Sequence, residues 1–428
     1  MNRLVCLLVF CEISGAAFAA APQVSGVSLS QDAAQRVTIS YTLANAPAII
    51  TVDVRTNGVS VGDRNLRWMS GDVNRLVTTE GAHTVTWPAF LHQVDEDSLM
   101  NAEAVVTAWT TNFPPQYMVV DLGRENDVTY YTSVDALPTE NGPTDNVYRV
   151  TQMLFRRIDA KGRQFSVGQG DTVHTVTMDH DYYIGVHECT QWQWIRNGMG
   201  LNNGGYVFLT NQTDQAGRPI DKVGFSVVRG DVNHPDAPTS SSFLGLLRAR
   251  TGLPFDLPGE VEWEIAARAG NDERHWNDGS VQALAPDNNR IDTNLNKIAR
   301  HHFNAKDLSA ATISENGDVS GSVSDPDRWV DDSFGTAAVG SYKPNNWGLY
   351  DMAGNVWEMC LDEVGRDAKD IDGTIFHAAT TAANNILRGG SALNGPGWMT
   401  LLGRNSAGRT TTGNYRGFRV ALPLASVE

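Results

Sequence analysis

From Val24 to about Trp109, apolar and polar residues alternate in short runs. Val37-Thr38-Ile39-Ser40-Tyr41, Ile50-Thr51-Val52-Asp53-Val54 and Thr84-Val85-Thr86-Trp87 place apolar side chains at every second position, the period of a half-buried strand. Thr56-Asn57-Gly58, Ser70-Gly71-Asp72 and Glu80-Gly81 separate them as turns, and Val105 to Trp109 closes the set. The pattern predicts an all-β sandwich of immunoglobulin-like type over residues 22–110. No constellation of reactive side chains accompanies it, so this module reads as a spacer or docking domain.

Residues 111–146 form a connector, punctuated by Pro114-Pro115, Pro138 and Asn141-Gly142-Pro143, within which Tyr117 to Leu122 can add a strand to a neighbour. From Val147 to the end, residues 147–428, the character becomes mixed, and the whole is of the α+β class. Thr190 and Gln193 stand in a capping-box relation at the start of a helix ending near Gly198. Phe243, Leu246, Leu247 and Arg250 keep helical spacing over Ser241–Arg250, and Gly252 follows as a C-cap. Pro258-Gly259 opens a third helix, Glu260–Ala269, with Val261 and Ile265 on one face. Beyond Gly270, Asn, Asp, Gly and Ser dominate for about 80 residues, loops of a length that is either disordered or held by metal and aromatic packing.

Composition narrows the class. The 428 residues are 41% hydrophobic and 19% charged, enough for two or three domains with a packed core. The 40 Gly and 11 Trp suit a loop-rich domain held by aromatic packing. A net charge of −16 argues against nucleic acid as a partner, because phosphate binding needs clustered Lys and Arg. It equally disfavours an anionic membrane surface and suits a solvated exterior.

Residues 1–21 read as a secretory signal: Arg3 gives a positive start, Leu4 to Phe10 an apolar run, and Ala17-Phe18-Ala19 a cleavage pattern. No later stretch is apolar for ~18 residues, so no transmembrane anchor is expected. Cys6 and Cys11 leave with the signal. Cys189 and Cys360 remain, either to pair in an oxidising compartment or to stay as buried thiols.

A series of segments now falls into a family's order. Phe165-Ser166-Val167-Gly168 opens it. Asp181 to Thr190 (DYYIGVHECT), Pro219 to Phe225 (PIDKVGF), Leu257 to Gly270 (LPGEVEWEIAARAG), Gly348 to Glu358 (GLYDMAGNVWE), Arg388-Gly389-Gly390-Ser391 and Gly417-Phe418-Arg419 follow. From Phe165 to Leu422 the chain resembles the formylglycine-generating enzyme, or sulfatase-modifying factor, family. The resemblance implies a C-type-lectin-like fold with little regular structure.

In Asp351 to Glu358, two carboxylates bracket a glycine-bearing turn, and Ca²⁺ takes carboxylate and carbonyl oxygens together. The resemblance implies a calcium site from the side chains of Asp351 and Glu358 and the carbonyls of Gly354 and Val356; the alternative is a turn whose acids only cap backbone N–H groups. A second implied calcium site involves Asp332 and Phe334, with Asn304 as a further candidate. The family's oxidase binds copper(I) through two cysteines five residues apart, shortly after the glycine pair. Here Asn394 and Met399 stand at those positions. One thioether is a poor substitute for two thiolates, so copper is not expected. Trp357 and Ser391, which line the family's pocket, are retained, and Trp398 lies beside them. His301-His302, the sole adjacent histidine pair, lacks a positioned carboxylate partner.

Two functions from different classes fit. One is an exported binding or structural protein whose pocket, near Trp357, Ser391, Asn394, Trp398 and Met399, takes an exported protein, a peptide or a glycan. The other is an oxygen-dependent modifying enzyme with a diverged site. The missing cysteine pair favours the first.

Overall fold

The structure, a computed structural model, describes residues 20–89, 99, 101–168, 173–200, 217–232, 234–271, 295–301, 312–313, 319–320, 335–364, 384–401 and 403–424. The described residues of the N-terminal part include eight strands: β1 (Gln23–Gln31), β2 (Val37–Ala44), β3 (Ala48–Thr56), β4 (Val59–Ser60), β5 (Ser70–Gly71), β6 (Arg75–Val77), β7 (Gly81–Trp87) and β8 (Ala102–Trp109). One sheet runs β1-β2-β7-β5. In the other, β3 pairs with β4, β6 and β8. The alternation read from the sequence works as expected in β2, where Val37, Ile39, Tyr41 and Leu43 are buried. They join Ile50, Val54, Val85 and Trp87 in a core of their own.

The connecting segment supplies β9 (Tyr117–Asp121) and β10 (Val128–Tyr131). Both enter a five-stranded antiparallel sheet, β10-β9-β11-β14-β21, with β11 (Gln152–Ile158), β14 (Tyr182–Gly185) and β21 (Ala421–Pro423). This sheet is buried on both faces, which explains its near-continuous apolar strands. Tyr117, Val119, Leu154, Tyr182 and Ile184 point into one core. Met118, Val120, Met153, Phe155 and Tyr183 point into the other. The N-terminal part is tied to it: Ile49 packs into the second of these cores, Tyr130 N–H donates to Asn74 O at 2.8 Å, and Arg67 donates to Asp135 O at 3.1 Å.

Two short hairpins follow the chain, β12 (Gln164–Val167) with β13 (His174–Thr177), and β15 (Thr312–Ile313) with β16 (Val319–Ser320). The last sheet, β19-β18-β17-β20, contains β17 (Trp357–Glu363), β18 (Asn384–Arg388), β19 (Arg404–Gly408) and β20 (Arg416–Gly417). Six short α-helices lie among the described residues: α1 (Val147–Val150), α2 (Gln191–Arg196), α3 (Phe225–Val228), α4 (Phe243–Thr251), α5 (Glu260–Arg268) and α6 (Leu295–Ile298). Thr190 caps α2 in the full reciprocal box with Gln193. Gly252 ends α4 in the left-handed conformation at φ 70°.

Helix α5 departs from its sequence pattern. Val261 and Ile265 were expected to define one apolar face, yet every residue of α5 is buried. The helix packs against β12, β17 and β18, so its acids need internal partners. Glu260 accepts from Arg404 at 2.7 and 3.0 Å. Glu264 takes Arg388 at 2.7 Å and Arg268 at 2.7 Å. Glu262 accepts from Gly259 N–H at 2.7 Å and meets His180 Nε2 at 2.9 Å.

His180 gives a pH prediction. Burial lowers its pKa, but the hydrogen bond and charge of Glu262, then those of Asp179, outweigh burial and raise it from 6.5 to about 9. The folded value lies above the unfolded one, so this stabilisation is complete below about pH 6.5. It is lost as pH rises through about 9. Urea unfolding from pH 6 to pH 10 should show wild type losing its advantage over His180→Gln across that window. A pH-independent difference would refute the assignment.

Candidate functional site

The turn before β17 is built from three left-handed residues: Asp351 at φ 57°, Gly354 at φ 78° and Asn355 at φ 59°. Gly354 cannot be replaced here, because a Cβ would meet Arg300 O at 2.1 Å. The turn presents its polar groups inward. Asn355 Nδ2 donates to Glu188 Oε2 at 2.6 Å, and Val356 N–H donates to Glu188 Oε1 at 3.1 Å. Asp351 Oδ2 accepts from Gly340 N–H at 2.6 Å, while its Oδ1 is buried without a hydrogen-bond partner.

Glu358 lies on the next strand residue set and is fully buried. Arg419 Nε donates to its Oε2 at 3.0 Å and Arg419 Nη2 to its Oε1 at 2.8 Å. Trp263 Nε1 donates to Oε2 at 2.7 Å. The remaining Arg419 bonds go to Gly185 O and Tyr350 O, both at 2.8 Å. Three carboxylates, Glu188, Asp351 and Glu358, thus surround one guanidinium. Burial, then the charges of Asp351 and Glu358, push Glu188 well above the usual carboxylate range. Burial raises Asp351 to about 6. Burial alone would lower Arg419, but Glu358 and the other two acids leave its pKa raised. Among the described residues, no group of three or more His, Cys, Asp or Glu side chains is placed to hold a metal ion.

The segment after the glycine pair is turned on a short 3-10 helix, Pro396–Trp398. Ser391 Oγ donates to Asn394 Oδ1 at 2.6 Å. Met399 is fully buried and packs over Gly390, whose φ is 78°; a Cβ there would meet Met399 Cε at 2.8 Å. Trp398 stands edge-on to Trp357, ring centroids 5.8 Å apart at 76°. The two faces of β17 therefore do different work. Trp357, Met359 and Leu361 pack in the core that Trp398 leans on, while Glu358 and Asp362 turn to α5, at Trp263 Nε1 and Glu260 N–H.

The structure brings Ser391 to Asn394 and Trp357 to Trp398, and it sets Asp351 and Glu358 around Arg419. Asp332, Phe334, Asn304 and His302 lie outside the described residues. His301 is buried. Cys189 and Cys360 are unpaired thiols in separate cores, and burial pushes both well above the usual thiol range. Sequence reasoning passed over Glu188 and Arg419 as members of the turn's charge cluster, although both sit in segments that carried the resemblance. Only their shared burial reveals it.

Residues 151–424 match the sulfatase-modifying factor enzyme 1-like domain, and the chain belongs to that family. It is similar to a formylglycine-generating enzyme of Thermomonospora curvata, 34% identical over 130 residues, 30% of this chain and 32% of that protein. It is also similar to the serine/threonine-protein kinase pkn1 of Chlamydia caviae, 42% identical over 257 residues, 59% of this chain and 34% of that protein. These matches span about a third of those relatives' length. Among solved structures, PvdO from Pseudomonas aeruginosa superposes with a TM-score of 0.45 at 20% identity, over 63% of this chain and 94% of that one.

Removing Arg419 strands a buried charge. Arg419→Gln should cost about 3–5 kcal/mol in denaturant unfolding. Combining it with Glu358→Gln should cost less than the sum of the two single changes, since the pair is lost only once. Additive effects would refute the coupling.

Proposed function

We propose that the chain is an exported, calcium-stabilised member of its family that binds or scaffolds rather than oxidises. In this reading an immunoglobulin-like module precedes a C-type-lectin-like domain. The observation that carries it is that Asn394 and Met399 stand where the resemblance would put the family's copper-binding cysteines. Copper(I) favours soft sulfur ligands; the amide of Asn394 is not one and accepts a hydrogen bond from Ser391, which leaves a single thioether. Cys189 and Cys360 are buried and unpaired with raised pKa values, so thiolate chemistry is disfavoured at both. The candidate partners are an exported protein, a peptide or a glycan.

The calcium ligands fit the turn in part. Asp351 Oδ1 lacks a partner. Glu358 accepts three hydrogen bonds, which leaves one carboxylate lone pair. Three acids face a single guanidinium there, and a divalent ion bound by Asp351, Glu358 and the Gly354 and Val356 carbonyls would balance that charge. No helix among the described residues is long and apolar enough to cross a membrane.

Calcium should raise the thermal midpoint, by about 2.7 kcal/mol of stability at a hundredfold excess over its Kd. Asp351→Ala should abolish the response. An unchanged midpoint on chelation would remove calcium from the reading. A second experiment addresses the non-oxidase claim. Incubation with a sulfatase-type cysteine peptide, copper and oxygen should yield no aldehyde by mass spectrometry. Aldehyde formation would establish the alternative, an oxygen-dependent modifying enzyme with a diverged site, which the similarity to formylglycine-generating enzymes favours.

A further inference from the structure

Three of the fully buried guanidinium groups are matched to acids. Arg229 pairs with Asp256 at 2.9 Å, Arg388 with Glu264 at 2.7 Å and Arg419 with Glu358 at 2.8 Å. Arg416 is different. It is half-buried, on β20, and its Nη1 is shielded from solvent without a hydrogen-bond partner. Burial is the one influence on its pKa, and it lowers it; no acid among the described residues offsets that. In a chain with 49 Asp and Glu, an uncompensated and partly desolvated guanidinium is costly.

Its position is specific. β20 pairs in parallel with β17, and Arg416 is in register with Trp357. Residues in register on neighbouring strands project to the same face. Trp398 closes on that same Trp357, edge to face, and its indole Nε1–H is also shielded and unpartnered. Trp398 is half-buried, beside exposed Gly397. The guanidinium itself is held over Gly413, where a Cβ would meet its Cζ at 2.8 Å. Two orphan donors, one of them charged, therefore flank the same residue, Trp357: Arg416 by strand register and Trp398 by ring contact.

We propose that Trp357, Trp398 and Arg416 form a binding site for a carboxylate attached to an apolar or aromatic group. This names the ligand class of the pocket in the binding reading above and rests on that reading. A carboxylate offers two acceptor oxygens and one negative charge, which match one indole N–H and one guanidinium. A phosphate dianion would call for more donors and more positive charge. The tryptophan rings supply the contact for the ligand's apolar body.

The probes are 3-phenylpropionate and its amide, glycylphenylalanine with a free or amidated C-terminus, and inorganic phosphate. Binding to the full chain is followed by tryptophan fluorescence and calorimetry. Both free acids should saturate and both amides and phosphate should not. Saturation by 3-phenylpropionate alone would assign the site to small acids, and saturation by the dipeptide acid would assign it to peptide termini. Arg416→Gln should weaken binding about tenfold or more, and Trp398→Phe, which keeps the ring and removes the donor, about threefold to tenfold. Circular dichroism checks folding; if Arg416→Gln does not fold, Trp398→Phe carries the test. Amides binding as tightly as acids, phosphate binding in their place, no saturation by either acid, or wild-type affinity in the variants would overturn the proposal. Aldehyde formation in the peptide assay would sink the non-oxidase reading while leaving the carboxylate result intact, so the two failures are distinguishable.

Discussion

The buried contact between Arg419 and Glu358 holds together parts of the chain that share little regular structure. Arg419 is fully buried and donates to Glu358, Gly185 O and Tyr350 O. Glu358 in turn accepts the Trp263 indole N–H. One guanidinium thus fixes the end of β14, the turn before β17, β17 itself and helix α5. A planar, permanently charged group with donors in a rigid fork can do this, whereas an apolar residue could not satisfy the carbonyls. Loops buried without such partners would leave orphan backbone groups.

Helix α5 extends the same logic. Its glutamates sit at positions where a surface helix would face water, but β12, β17 and β18 cover the helix. Each acid is answered by a cation: Arg404, His180, or Arg388 together with Arg268 of the helix itself. Desolvation makes such pairs poor sources of net stability, yet each is expensive to break.

Placement also separates the two chemical environments of the domain. The turn at Asp351, Gly354 and Asn355 gathers acids around Arg419. The opposite face of β17 gathers Trp357 and Trp398, with Arg416 in register. Adjacent residues of one strand thereby serve an acidic cluster and an aromatic surface, because successive side chains of a strand point to opposite sides. In the segment after the glycine pair, Ser391 donates to Asn394 and Met399 is fully buried.

The sequence by itself determined the local grammar. Alternation in Val37 to Leu43 fixed a half-buried strand, Thr190 with Gln193 fixed a helix start, and Gly252 fixed a helix end, because these depend on residues within a few positions of one another. The ordered motifs from Phe165 to Phe418 also determined the family. What the sequence could not decide was which acids are buried and by what they are matched. Glu188, Glu260 and Glu264 look like ordinary solvated charges in their segments. The two-faced burial of the central sheet, the entry of Tyr117–Asp121 into it, and the contrast between paired Arg419 and unpaired Arg416 came only with tertiary structure. Burial and pairing are set by residues far apart in the chain, and desolvation acts on a charge only once distant strands have closed over it.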